Sequence, residues 1–309
     1  MTKKKKIIIS IISVICAIAI GFGAFFGIRA IINNLNPLNN GHNKTARVIL
    51  LAGQSNAAGC SHNEYLEKNV SAEKYAEYKS GYNNVFINYF ATGLNISHEF
   101  VPCTIGQGDF NYLFGPEVGM AEKLNAMYPN DTFFIIKYTW SGTALCNLWL
   151  SPSSEGETGD LYTSFIDFVK LNLEEIKNKN YKVKLEGMCW MQGESDAVEE
   201  VNAIKYQTNL SNFVADIRED LKAYIDTDGL AFVDAYIADY PALWVHHEIV
   251  NNAKLAVANM SPMNAVIDTI AEGLSTSNEP EISPDRAHYD ALSEIKLGHL
   301  FAEKLALFF

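Results

Sequence analysis

Positive charge is scarce in this chain of 309 residues: 24 Lys and Arg stand against 36 Asp and Glu, for a net charge of −12. Five of the cations, Lys3, Lys4, Lys5, Lys6 and Arg29, sit at the amino terminus, so the rest of the chain is more acidic still. Such a surface repels polyphosphate, and nucleic acid is excluded as a general partner. Metal-ligand spacing is also missing. Cys60, Cys103, Cys146 and Cys189 recur every 43 residues, but their flanking residues share nothing, and neither a repeat nor a metal centre is expected. They could pair in an oxidising compartment, and four cysteines leave three connectivities open. No cofactor-binding fingerprint is present either. Only 19% of residues are charged against 48% hydrophobic, which excludes a disordered chain.

Charge is absent altogether from Ile7 to Ile28, 22 residues rich in Ile, Ala, Gly and Phe. As a helix this run spans about 33 Å, enough for a bilayer core of about 30 Å. It is longer than the apolar part of a cleaved signal peptide, and no A-x-A pattern follows it. The expected organisation is a basic cytoplasmic tail over 1–6, a transmembrane anchor over 7–28, a polar linker over 29–45 and one folded domain over 46–309. Lysines on the amino side put that domain outside the cell, at the membrane; secretion after cleavage is the alternative.

Within 46–309, continuous apolar runs alternate with amphipathic stretches. Val48–Ala52, Phe133–Tyr138, Leu185–Met191, Leu230–Ile237 and Ala265–Ile270 read as buried strands. Leu161, Phe165, Val169, Leu173 and Ile176 share one helical face, as do Tyr206, Leu210, Phe213, Val214 and Ile217, and a last stripe runs from Leu297 to Phe308. This alternation predicts a three-layer α/β/α sandwich on a mostly parallel, five-stranded sheet, with its site at the carboxyl ends of the strands. Strand-like pieces between residues 60 and 113, such as Val85–Phe90, have no assigned place; the segment is read as a rim of the site.

The loops after the strands carry the chemistry. Gly53-Gln54-Ser55-Asn56 follows the first strand and supplies a hydroxyl, although a serine there is more often a turn or capping residue. The lipase-type G-x-S-x-G is absent, which argues against an α/β-hydrolase elbow. Near the carboxyl terminus, Asp285-Arg286-Ala287-His288 can place a carboxylate against an imidazole, fixing its tautomer and leaving the other nitrogen to activate Ser55. Gln192, just past the third long apolar run, could donate to a developing oxyanion, and Gly142 could add a backbone N–H. Gln54, Asn56 and Glu194 read as support. Asp196 and Glu199 have the spacing of a capping box for the next helix, and Gly115-Pro116-Glu117 reads as a helix start.

Gly53-Gln54-Ser55-Asn56, Gly115-Pro116-Glu117, Gly142-Thr143, Trp190-Met191-Gln192-Gly193-Glu194-Ser195-Asp196 and Asp285-Arg286-Ala287-His288-Tyr289 occur in one order. That order resembles the sialate O-acetylesterase and acetyl xylan esterase (carbohydrate esterase family 6-like) branch of the SGNH hydrolases, over nearly all of 46–309. The resemblance implies a flavodoxin-like sandwich and metal-free deacetylation of carbohydrate esters. It implies Ser55 as nucleophile with His288 and Asp285, and an oxyanion hole from the Ser55 and Gly142 N–H groups and the Gln192 side chain. Two positions depart from the pattern: Ala57 stands where the branch often has methionine, and Ser141 replaces the first glycine of Gly-Gly-Thr. The alternatives are an acyltransferase or lipid-active serine hydrolase on the same scaffold, and a glycan-binding protein with an inactive site.

Overall fold

The computed structural model describes residues 36–226 and 229–309. The apolar run read as a membrane anchor lies outside the described residues. Among those described, no helix is long and apolar enough to cross a membrane.

The strands are β1 (Thr45–Gly53), β2 (Ser61–His62), β3 (Val85–Ala91), β4 (Asn95–Ile96), β5 (Val101–Pro102), β6 (Leu113–Phe114), β7 (Thr132–Thr139), β8 (Lys182–Met191), β9 (Ala231–Ala235) and β10 (Asn264–Ile267). The α-helices are α1 (Ser55–Ala58), α2 (Asn63–Asn69), α3 (Ala72–Ser80), α4 (Glu117–Met127), α5 (Asp160–Asn178), α6 (Glu200–Asp220), α7 (His247–Ala258) and α8 (Ala291–Leu305).

All five expected strands form, but the sheet is larger than expected. It has eight strands in the order β10-β9-β8-β1-β7-β3-β4, with β5 also on β3. The extra three come from residues 85–102. β3 pairs in parallel with β7, while β4 and β5 lie antiparallel to β3 as a short closing edge. Val85, Phe86 and Ile87 are buried there because β3 lies inside the sheet, between β7 and that edge. The antiparallel pieces are two residues long, too short to leave a periodic trace in the sequence.

β1 lies at the centre, parallel to β7 and to β8. Its Val48, Ile49, Leu50 and Leu51 are fully buried, as a strand covered on both faces requires. α5 and α6 turn the expected apolar stripes inward, where Trp149, Trp190 and Phe213 pack edge-on or tilted with ring centroids 4.6–6.5 Å apart. Before β1, residues 36–44 lie against the α5–β8 turn rather than away from it. Gly41 N–H donates to Lys179 O at 2.7 Å, and the Tyr181 hydroxyl donates to Pro37 O at 3.0 Å.

A lysine penetrates this core. Lys137 on β7 is fully buried, and its ammonium donates to Glu117 Oε2 at 2.8 Å, Ala58 O at 2.7 Å and Gln107 O at 2.9 Å. A buried ammonium is stable only when its donors are matched in this way. The bonds tie the end of α1, the 107 loop and the start of α4 to the central sheet. Lys137→Met is expected to cost about 3–5 kcal/mol, because it strands the Glu117 charge. Combining it with Glu117→Gln should return part of that loss. Urea unfolding of both variants checks this, and a double variant no more stable than the single one would exclude charge pairing as the cause.

Candidate active site

The carboxyl ends of β1, β7 and β8 meet at one level, with Gly53 paired to Thr139 on one side and Met191 on the other. Gly53 has φ +141°, and a Cβ there would fall 1.9 Å from Met191 O, so only glycine permits this turn. The chain then enters α1, a single turn beginning at Ser55. The first N–H groups of a helix have no partner within it, which leaves the Ser55 N–H available beside its own hydroxyl.

Ser55 and His288 line one cavity of about 540 Å³, together with Gln54, Cys60, Asp109, Ser141, Gly142, Ser195, Val198, Glu199, Trp244 and Ala287. Two loops separated by more than two hundred residues are thus brought together. His288 Nδ1 is 2.6 Å from Asp285 Oδ2, and Asp285 Oδ1 accepts from Ala287 N–H at 3.0 Å. The hydrogen bond from His288 holds the Asp285 carboxyl below its ordinary range, against a smaller opposing effect of burial. A depressed carboxyl stabilises the fold above its ordinary pKa, and that contribution is lost as pH falls through the lower folded value. Among the described residues Ser55 Oγ makes no hydrogen bond; nucleophile–base contacts often close only around substrate.

Asn56 holds the two loops in register. Its Nδ2 donates to Glu194 Oε1 at 2.8 Å and to Ala287 O at 3.3 Å, while its Oδ1 accepts from Tyr289 N–H at 3.2 Å. The residues on both sides of His288 are therefore bonded to the residue after Ser55. Glu194 is buried, which pushes its carboxyl up despite the bond from Asn56, and its Oε2 has no hydrogen-bond partner among the described residues.

Gly142 also lines the cavity. It has φ +70° with open space where a Cβ would stand, and its N–H has no acceptor among the described residues. Ser141, the departure from the usual glycine, is integrated into the turn. Its hydroxyl donates to Asp109 Oδ2 at 2.5 Å and its N–H to Thr92 Oγ1 at 3.2 Å, and Thr92 in turn bonds Asp109. Asp109 was not foreseen. It lies in the segment 60–113 that carries no periodic pattern, and only its tertiary contact with Ser141 gives it meaning. Cys60 next to it has its thiol pushed well up by burial and by Asp109, which makes it a poor nucleophile. All four described cysteines are free thiols.

Two expectations are corrected. Gln192 is fully buried behind the cavity wall and its amide faces inward: Nε2 lies 2.7 Å from Asp196 Oδ2, 3.0 Å from Thr143 O and 3.2 Å from Gln54 Oε1, and Oε1 accepts from the Tyr206 hydroxyl. Both amide hydrogens are committed to these acceptors, leaving none for an oxyanion. Asp196 does not form a capping box with Glu199. Its carboxylate accepts from the N–H groups of Leu145 and Cys146, at 2.7 and 3.0 Å, and the next helix starts at Glu200 without a side-chain cap. It braces the Gly142 loop instead.

The sequence matches the family model "Carbohydrate esterase, sialic acid-specific acetylesterase" over residues 45–307. The chain belongs to this family of carbohydrate esterases. Its fold is similar to that of a solved Arabidopsis thaliana protein (18% identity, TM-score 0.59, covering 84% of this chain and 98% of that one). It is also similar to NanS (16%, TM-score 0.63, 86% and 98%) and to a carbohydrate acetylesterase from Xanthomonas citri (17%, TM-score 0.56, 83% and 55%). No curated protein matches the chain. Carbohydrate O-acetylesterase activity is the property this membership carries.

The inward-facing amide makes a distinguishing prediction for Gln192→Ala. Loss of a buried bonding network should lower stability by about 1–3 kcal/mol. Loss of an oxyanion donor would instead lower turnover by about 10²–10³ in a protein of unchanged stability. Chemical denaturation alongside acetate-release kinetics separates the two.

Proposed function

We propose that this carbohydrate esterase removes O-acetyl groups from glycans through a serine acyl-enzyme, with Ser55 as nucleophile, His288 as general base and acid, and Asp285 as its orienting carboxylate. The observation that carries the reading is the shared cavity: Ser55 and the Asp285-bound His288 face one space, at the carboxyl ends of the central strands. Asp285 accepts from Nδ1, which leaves Nε2 as the nitrogen that takes the hydroxyl proton.

Ser55 Oγ attacks the acetyl carbon as His288 Nε2 receives its proton. The carbonyl oxygen becomes an oxyanion, held by the Ser55 and Gly142 N–H groups. Gln54 supplies the third donor in place of Gln192. Its Oε1 accepts from Gln192 Nε2 at 3.2 Å and from Ser195 N–H at 3.3 Å, so the carboxamide is fixed while it lines the cavity. His288 then returns the proton to the departing sugar hydroxyl. Water deprotonated by His288 attacks the acetyl-enzyme, releasing acetate and regenerating Ser55. Val198 and Trp244 form an apolar wall suited to the acetyl methyl group. For location, we propose that the uncharged run 7–28 behind its lysines anchors the catalytic domain at the outer face of the cell membrane.

Ser55→Ala should abolish acetate release and labelling by a fluorophosphonate without lowering stability. Asp285→Asn, which presents the wrong partner to Nδ1, should lower kcat by about 10⁴ with the fold intact. A Ser55→Ala protein with full esterase activity would end the proposal.

A further inference from the structure

The chain enters the folded domain at the end of the sheet opposite the cavity. Residues 36–44 are pinned there before β1 begins. Gly41 N–H donates to Lys179 O at 2.7 Å, Asn43 N–H to Asn180 O at 2.8 Å, and the Lys179 ammonium to Leu38 O at 2.9 Å. Lys182 N–H donates to Lys44 O at 2.9 Å, and Thr45 pairs with Lys182 on the first rung of the sheet. β1 covers nine residues from there to Gly53, beside Gln54 and Ser55 of the cavity wall, a rise of about 26 Å.

The entry end also differs in charge from the chain as a whole. Residues 36–44 and 176–185 hold Lys44, Lys177, Lys179, Lys182 and Lys184 and no acid, although the chain carries 36 acids against 24 cations. Glu174, Glu175 and Glu186 answer Lys177, Lys179 and Lys184 in ion pairs of 2.8, 3.1 and 2.9 Å. Arg47 nearby is taken up by Asp131 and Glu186. Lys44 and Lys182 are exposed and form no ion pair among the described residues.

Eight residue steps separate Ile28, the last residue of the uncharged run, from Asn36, and that length of chain reaches no further than about 28 Å. A domain turned with its cavity toward the bilayer would put all of β1 between the membrane and its own point of entry. It would need the tether drawn out to its limit. The opposite orientation needs no stretch, and it carries the lysines to the headgroups.

Taking the proposed membrane anchor as given, we propose that the entry end of the domain seats on an anionic lipid surface through Lys44, Lys182 and the lysines around them, with the catalytic cavity facing away from the bilayer. Substrate then reaches Ser55 from the space beyond the membrane and not from lipid in the same bilayer. Positive charge near an anionic surface supplies the attraction, and salt screens it. The exposed Val201 and Val245, close to Glu199 and Trp244 of the cavity wall, would make the contact in a domain of the reverse orientation.

Photo-crosslinking of the full-length chain in lipid vesicles decides between the two. A benzophenone side chain is placed at position 178, among the lysines, or at position 201 or 245, in vesicles containing phosphatidylglycerol. Lipid adducts should form from 178 and be lost at 201 and 245. Lys182→Glu should lower the yield from 178 about fivefold, the worth of one lysine at an anionic surface, and phosphatidylcholine vesicles should lower it at least as far. The proposal is overturned if 178 gives no more adduct than 201 or 245, or if its yield ignores both lipid charge and Lys182→Glu. Acetate release by each variant shows that the domain is folded. Alkaline carbonate tests the anchor separately. A chain stripped from the vesicles ends the anchor and the seat together, whereas one that stays and crosslinks from 245 loses the seat alone.

Discussion

The geometry of the site depends on one carboxamide. Asn56 bonds Glu194, Ala287 O and Tyr289 N–H, and so joins the loop after β1 to the loop after β8 and to the loop before α8. None of these segments is a neighbour in sequence. A side chain that donates and accepts at once is needed, because one partner is a carboxylate, one a carbonyl and one an N–H. A leucine of similar volume would leave all three unpartnered in a buried place, and an aspartate would confront both Glu194 and a carbonyl.

The same economy runs through the layer beneath. Lys137 gathers three acceptors from α1, the 107 loop and α4, while Gln192 and Asp196 tie the β8 loop to the Gly142 turn. These groups touch no substrate in the proposed mechanism. They remove freedom from the loops that do, so that the proposed nucleophile, base and oxyanion donors occupy fixed positions before substrate arrives. A further buried pair, Lys254 with Asp234 at 2.6 Å, supports the β9 side; burial pushes the Asp234 carboxyl up to about 6 even so.

Ser141 shows how a departure from a family pattern is absorbed. A glycine there would make no side-chain bond, whereas the serine hydroxyl engages Asp109 and draws the otherwise unpatterned 105–112 loop to the cavity wall. That loop also carries Phe110 and Tyr112. The 105–112 loop thus braces the turn at Gly142 while leaving both rings exposed.

Much was legible without coordinates. Five apolar runs forecast the central strands, because a strand covered on both faces must be apolar throughout, and the stripes of α5 and α6 forecast their inner faces. Ser55, His288 and Asp285 could be named as candidates because their residue types and loop positions limit the chemistry they support, and the structure brings Ser55 and His288 to one cavity. The short strands β4 and β5, the place of β3 in the sheet and Asp109 could not be read, since two-residue pairings and single tertiary contacts leave no period. Gln192 was named for its place at a strand end, yet a strand end does not fix which way a side chain turns, and four polar neighbours turned it inward. The sequence by itself determined which segments had to be buried, and hence the layers and the end of the sheet where a site could form. Only the tertiary structure decided which polar groups meet there, because a hydrogen bond depends on the direction of each side chain and not on its position along the chain.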